Sequence, residues 1–115
     1  MRERVAIYTA YGRTPTGEKK WGFIDKQGKI VITPQFDEAV GFHEGLAAVG
    51  VGGKYGFIDR TGRIVINPVF DSTMPFDGGL AQVTVNEASG DDSAKAKYKF
   101  GFIDKTGKYI WQPSQ

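Results

Sequence analysis

The chain has 115 residues, a net charge of +2 and no cysteine. That length suits one domain, and the lack of cysteine excludes disulfides, zinc–thiolate sites and cysteine nucleophiles. So small a charge, with both signs interspersed, does not argue for nucleic acid, and no apolar stretch is long enough for a membrane-spanning helix. The sixteen glycines follow no triplet period and therefore mark many tight turns between short strands.

In chain order, Arg4–Tyr8 reads as a β-strand, here lettered c. A polar connection, 9–18, leads to strand a, Trp21–Asp25, and then to strand b, Lys29–Ile32. Aromatic and β-branched runs bounded by Gly, Asp and Pro carry both assignments. Between them Asp25-Lys26-Gln27-Gly28-Lys29 has the chemistry of a type I turn closed by a left-handed glycine. Pro34 is expected to stop strand b, since it has no N–H for a ladder. A linker, 34–44, then leads to a second strand c, Leu46–Val51.

The same order follows twice more. Tyr55-Gly56-Phe57-Ile58-Asp59 and Phe100-Gly101-Phe102-Ile103-Asp104 repeat Trp21-Gly22-Phe23-Ile24-Asp25. Asn67-Pro68-Val69-Phe70-Asp71 repeats Thr33-Pro34-Gln35-Phe36-Asp37, and Phe76 to Val83 repeats Phe42 to Val49. Asp25, Asp59 and Asp104 are read as acceptors inside their turns, and Gly28, Gly62 and Gly107 as their positive-φ positions. The expected fold is all-β: three tandem antiparallel three-stranded meanders, stacked or closed about a pseudo-threefold axis. The units are 3–33, 45–67 and 79–112, with linkers 34–44 and 68–78, in one domain spanning 1–115 that is expected to be complete.

The pattern Lys-Trp-Gly-Phe-Ile-Asp-x-x-Gly-Lys-Ile-Val-Ile-x-Pro-x-Phe-Asp, followed by Phe-x-x-Gly-Leu-Ala-x-Val, resembles the WG, or KWG, β repeat of bacterial proteins. The resemblance runs from Lys19 to Pro113. The chain departs from it where Trp becomes Tyr55 and Phe100, where the third unit lacks Pro-x-Phe-Asp, and where two c–a connections are enlarged. The resemblance implies a non-catalytic module, of the kind found with varied partner domains and among immunity-type proteins that neutralise toxins. It implies no catalytic residue.

The residues themselves point the same way. His43 is the only histidine, and its equivalent is Asp77. The serines lack a nucleophile-elbow context and no phosphate-binding loop is present. A hydrolase is the remote alternative, with no carboxylate pair singled out. Recurring aromatics are read as the core between units, and the turn lysines and arginines as solvated tips. No metal or cofactor is expected. Unit-specific insertions in repeat folds map to binding loops. The enlarged connections 9–18 and 86–97 therefore supply the candidate contact residues Tyr11, Arg13, Asp91, Asp92 and Lys95, joined by Trp111, which breaks the repeat. The expected partner is another protein, with a glycan or the cell envelope as the alternative and self-association as a further route. No membrane partner is expected, and the cytoplasm is the default location.

Overall fold

A computed structural model describes residues 7–86 and 98–111, with side chains from residue 9 onward. Asp91, Asp92, Lys95 and residues 4–6 of the first expected strand lie outside the described residues. All regular structure among the described residues is β. The strands are β1 Ile7–Arg13, β2 Lys19–Asp25, β3 Ile30–Phe36, β4 Glu38–His43, β5 Leu46–Val51, β6 Lys54–Ile58, β7 Ile64–Phe70, β8 Ser72–Thr73, β9 Ala81–Asn86, β10 Tyr98–Ile103 and β11 Tyr109–Trp111. They form three sheets, ordered β1-β2-β3, β4-β5-β6-β7 and β11-β10-β9-β8. Every pairing is antiparallel.

Three expectations are corrected. First, Pro34 does not stop strand b. β3 runs through Pro34 and β7 through Pro68. Phe23 pairs with Ile32 and Trp21 with Phe36, so two residues of β2 span four of β3. The proline sits in that bulge, where no ladder donor is required. Second, the linkers are not plain connections. β4 pairs with β5, and β8 with β9, adding a fourth strand to the second and third sheets. Third, most of 9–18 is not loop. Thr9 to Arg13 pair with Phe23 to Lys19, so the insertion lengthens a hairpin and only its tip turns.

The bulge accounts for the glycine of the repeated dipeptide. A Cβ on Gly22 would lie 2.6 Å from the Ile32 carbonyl oxygen, and one on Gly56 only 2.3 Å from that of Ile66. Backbone approaches backbone there, so no side chain fits. The a–b turns use glycine differently: Gly28, Gly62 and Gly107 have φ of 84°, 92° and 89°. In each turn the Asp Oδ1 accepts backbone N–H bonds from the residues two and four further on.

The core lies at two junctions. Phe23, Ile32 and Phe36 of the first sheet pack with Ala47, Val49 and Ile58 of the second. Phe57, Ile66 and Phe70 of the second pack with Ala81, Val83 and Ile103 of the third. The second sheet thus has a forward face, carrying Phe57, Ile66 and Phe70, and a rear face, carrying the smaller Ala47, Val49 and Ile58, and the register extends both terms to the other two sheets. The Cα envelope measures 47 × 39 × 15 Å.

Candidate interaction surface

Side chains alternate across β10, so Tyr98, Phe100 and Phe102 share one face while Gly101 and Ile103 take the other. Trp111 stands opposite Phe102, with ring centroids 6.3 Å apart. Gln82, Thr84 and Asn86 of β9 stand opposite Phe102, Phe100 and Tyr98. This is the forward face of the third sheet. Its four aromatics are exposed: 57% for Tyr98, 51% for Phe100, 37% for Phe102 and 53% for Trp111.

Two of these register positions, those of Phe102 and Trp111, are covered in the other two sheets. Phe23 and Phe57 are 1% and 0% exposed, and Ile32 and Ile66, at the Trp111 position, are 4% and 5%. What differs is the cover. Phe42 lies 5.1 Å from Phe23 and Phe76 lies 4.8 Å from Phe57, centroid to centroid, and the next sheet closes over each pair. Among the described residues nothing closes over Phe102 in this way. A groove of about 560 Å³ opens there, with Met74, Phe76, Leu80 and Phe102 on its apolar wall and His43, Asp77 and Gln82 at its polar margin. The expectation that repeated aromatics all form core is therefore corrected for the third unit, and in part for Trp21 and Tyr55, which are half-buried.

Polar contacts brace the junctions beside this face. The Glu44 carboxylate accepts N–H bonds from Gly78 at 2.6 Å and Gly79 at 2.9 Å, and these donors hold its carboxyl below the usual range. Lys105 Nζ donates to the Glu44 carbonyl at 2.8 Å. The Arg60 guanidinium lies 5.8 Å from the Phe42 ring centroid. Lys105 and Arg60 are thus engaged at junctions, unlike the solvated tips expected of them. Asp71 accepts from Lys54 Nζ at 2.6 Å and from the Asn86 N–H at 2.6 Å, and Asp37 does the same with Lys20 and the Gly52 N–H. The repeated Lys and the repeated Phe-Asp are therefore one device: the carboxylate ties strand a to the end of the following strand c.

The candidate contact residues do not share a sheet. Tyr11 packs against Trp21 on the first sheet, ring centroids 5.0 Å apart and planes tilted by 46°, and Arg13 donates to the Gly17 carbonyl at 3.1 Å within its own hairpin tip. Trp111 lies on the third. Phe100 and Phe102 were missed as surface residues because equivalence to Tyr55 and Phe57 argues for burial; the missing Pro-x-Phe-Asp after Trp111 was the available signal. No three His, Asp or Glu side chains among the described residues are grouped to hold a metal ion.

These features define a class: an all-β antiparallel repeat protein whose most distinctive surface is an uncovered sheet face. The chain belongs to the WG repeat family, since the model of the WG containing repeat matches residues 21–55 and again 55–87. Comparison with curated proteins gives no match, and comparison with solved structures gives none.

Proposed function

We propose that this protein is a non-catalytic binding module that holds a protein partner on the forward face of its third sheet. The observation that carries this reading is the exposure of Phe102 and Trp111 where the equivalent Phe57 and Ile66 are covered by another sheet. A contiguous exposed apolar face of this kind marks an interaction site. A side chain from the partner would take the place over Phe102 that Phe76 takes over Phe57. The non-catalytic part of this reading is supported by the family resemblance, which implies no catalytic residue. Toxin neutralisation is one form such binding takes, and the family resemblance is its support.

The test is selection of peptides against the full chain, followed by titration of a selected peptide into variants. Phe102→Ser should weaken binding at least tenfold, about 1.4 kcal/mol, while Tyr11→Ser on the first sheet leaves it unchanged. Equal affinity for Phe102→Ser and the unaltered chain would place the site elsewhere. A glycan reading has its own observation: Tyr98, Phe100 and Phe102 form a row beside the polar Gln82, Thr84 and Asn86, which suits stacking of sugar rings. Retention on a polysaccharide array, lost with Phe100→Ser, together with no selected peptide, would favour it.

A further inference from the structure

We infer that the protein associates with itself head to tail, the forward face of the third sheet in one copy seating on the rear face of the first sheet in another. This rests on the reading that the forward face is the binding surface, and it names the partner.

The two junctions within the chain are the template. Twice, a forward face meets a rear face: Phe23, Ile32 and Phe36 against Ala47, Val49 and Ile58, then Phe57, Ile66 and Phe70 against Ala81, Val83 and Ile103. One face of each kind is left without such cover among the described residues. The forward one carries Phe102 and Trp111. The rear one belongs to the first sheet, where the register identifies it. Ala10 pairs with Gly22 as Val49 pairs with Gly56, and Ile24 pairs with Ile30 as Ile58 pairs with Ile64. A cleft of about 200 Å³ opens along Ala10, Gly12, Gly22, Ile24 and Ile30, and Ile24 is only half-buried where its equivalents Ile58 and Ile103 are fully buried.

The turns carry the same signature. At each internal junction the turn glycine of the later unit touches the isoleucine of the earlier one: a Cβ on Gly62 would lie 3.3 Å from the Ile32 side chain, and one on Gly107 3.4 Å from that of Ile66. Gly28, the equivalent in the first unit, has nothing within 4 Å. The vacant counterpart of Ile32 and Ile66 is Trp111, so a second copy would bring the Gly28 turn onto the Trp111 ring. The new junction is not a replica. Gln82 stands for Ala48, Trp111 for Ile66 and Ala10 for Val49. A polar Gln82 in the contact makes it weaker than the internal junctions, so association is concentration-dependent. Because the two faces differ, the contact is heterologous and leaves each dimer with one free face of each kind, open to growth.

Sedimentation velocity on the full chain, from about 10 μM to about 1 mM, a span suited to weak affinities, should show a sedimentation coefficient that rises with concentration. Trp111→Glu blocks the forward face and Ala10→Glu, at the position of the buried Val49, the rear face; neither side chain is buried in the single chain, so both variants fold. Each variant alone should stay monomeric across the range. An equimolar mixture should form dimers and nothing larger, because each supplies the face the other lacks. Association of either variant alone, or no dimer in the mixture, overturns the inference. So does a monomeric unaltered chain at about 1 mM; if Phe102 still governs peptide binding in that case, the binding-module reading stands and only its partner changes.

Discussion

At the scale of single residues, two kinds of glycine do different work. Gly28, Gly62 and Gly107 are needed for a left-handed backbone, whereas Gly22 and Gly56 are needed because a carbonyl lies where a Cβ would go. The distinction is measurable. Gly28→Ala meets open space and carries only backbone strain, about 1 kcal/mol. Gly56→Ala must push β7 off β6 and should cost about 3 kcal/mol or more. Urea midpoints of the two variants should differ in that order. Carboxylates give a second prediction. Thr61 and Thr106 hydroxyls, with the turn N–H groups, hold Asp59 and Asp104 below the ordinary carboxylate range, and Lys54, followed by the Asn86 N–H, does so for Asp71. A folded pKa below the unfolded one means stability that is complete above the unfolded value and lost as pH falls through the folded value. The urea midpoint should therefore drop below about pH 4, the ordinary carboxylate range. Thr61→Val with Thr106→Val should flatten that drop; an unchanged acid profile would remove these turns as its source.

At the scale of elements, the strand pattern was legible where the residues are local in action. Alternating aromatic and β-branched residues, and Asp-x-x-Gly turns, place β2, β6 and their hairpins from sequence alone. Pro34 and Pro68 misled because a proline is excluded from a regular ladder but accepted in a bulge, and the bulge depends on the glycine across from it. β4 and β8 were hidden because they owe their strand state to pairing with β5 and β9, not to their own periodicity. Equivalent phenylalanines test the junction description. Phe57→Ala, fully buried, should cost about 3–5 kcal/mol, and Phe102→Ala within about 1 kcal/mol of nothing. Thermal or urea unfolding of the pair decides the matter. Similar losses at both positions would mean that Phe102 is covered.

At the scale of the molecule, identical motifs acquire different roles by position in the series. A forward face in the middle is core and the same face on the third sheet is surface, with Trp111 in place of isoleucine. A Trp21→Phe variant would leave Trp111 as the only tryptophan. Its fluorescence should be readily quenched by acrylamide in dilute solution and become protected as concentration rises. Quenching that stays constant while larger species form would put the contact away from this face.

The sequence by itself determined the threefold repetition, the hairpin turns and the family, because turn chemistry and periodicity act within a few residues and recur at fixed spacing. Only the tertiary structure decided that the repeat glycine answers a proline bulge, that the linkers are strands, and that the third copy's aromatics face solvent. Each of those depends on what packs against a residue from a distant part of the chain, and burial is a property of the neighbour as much as of the residue.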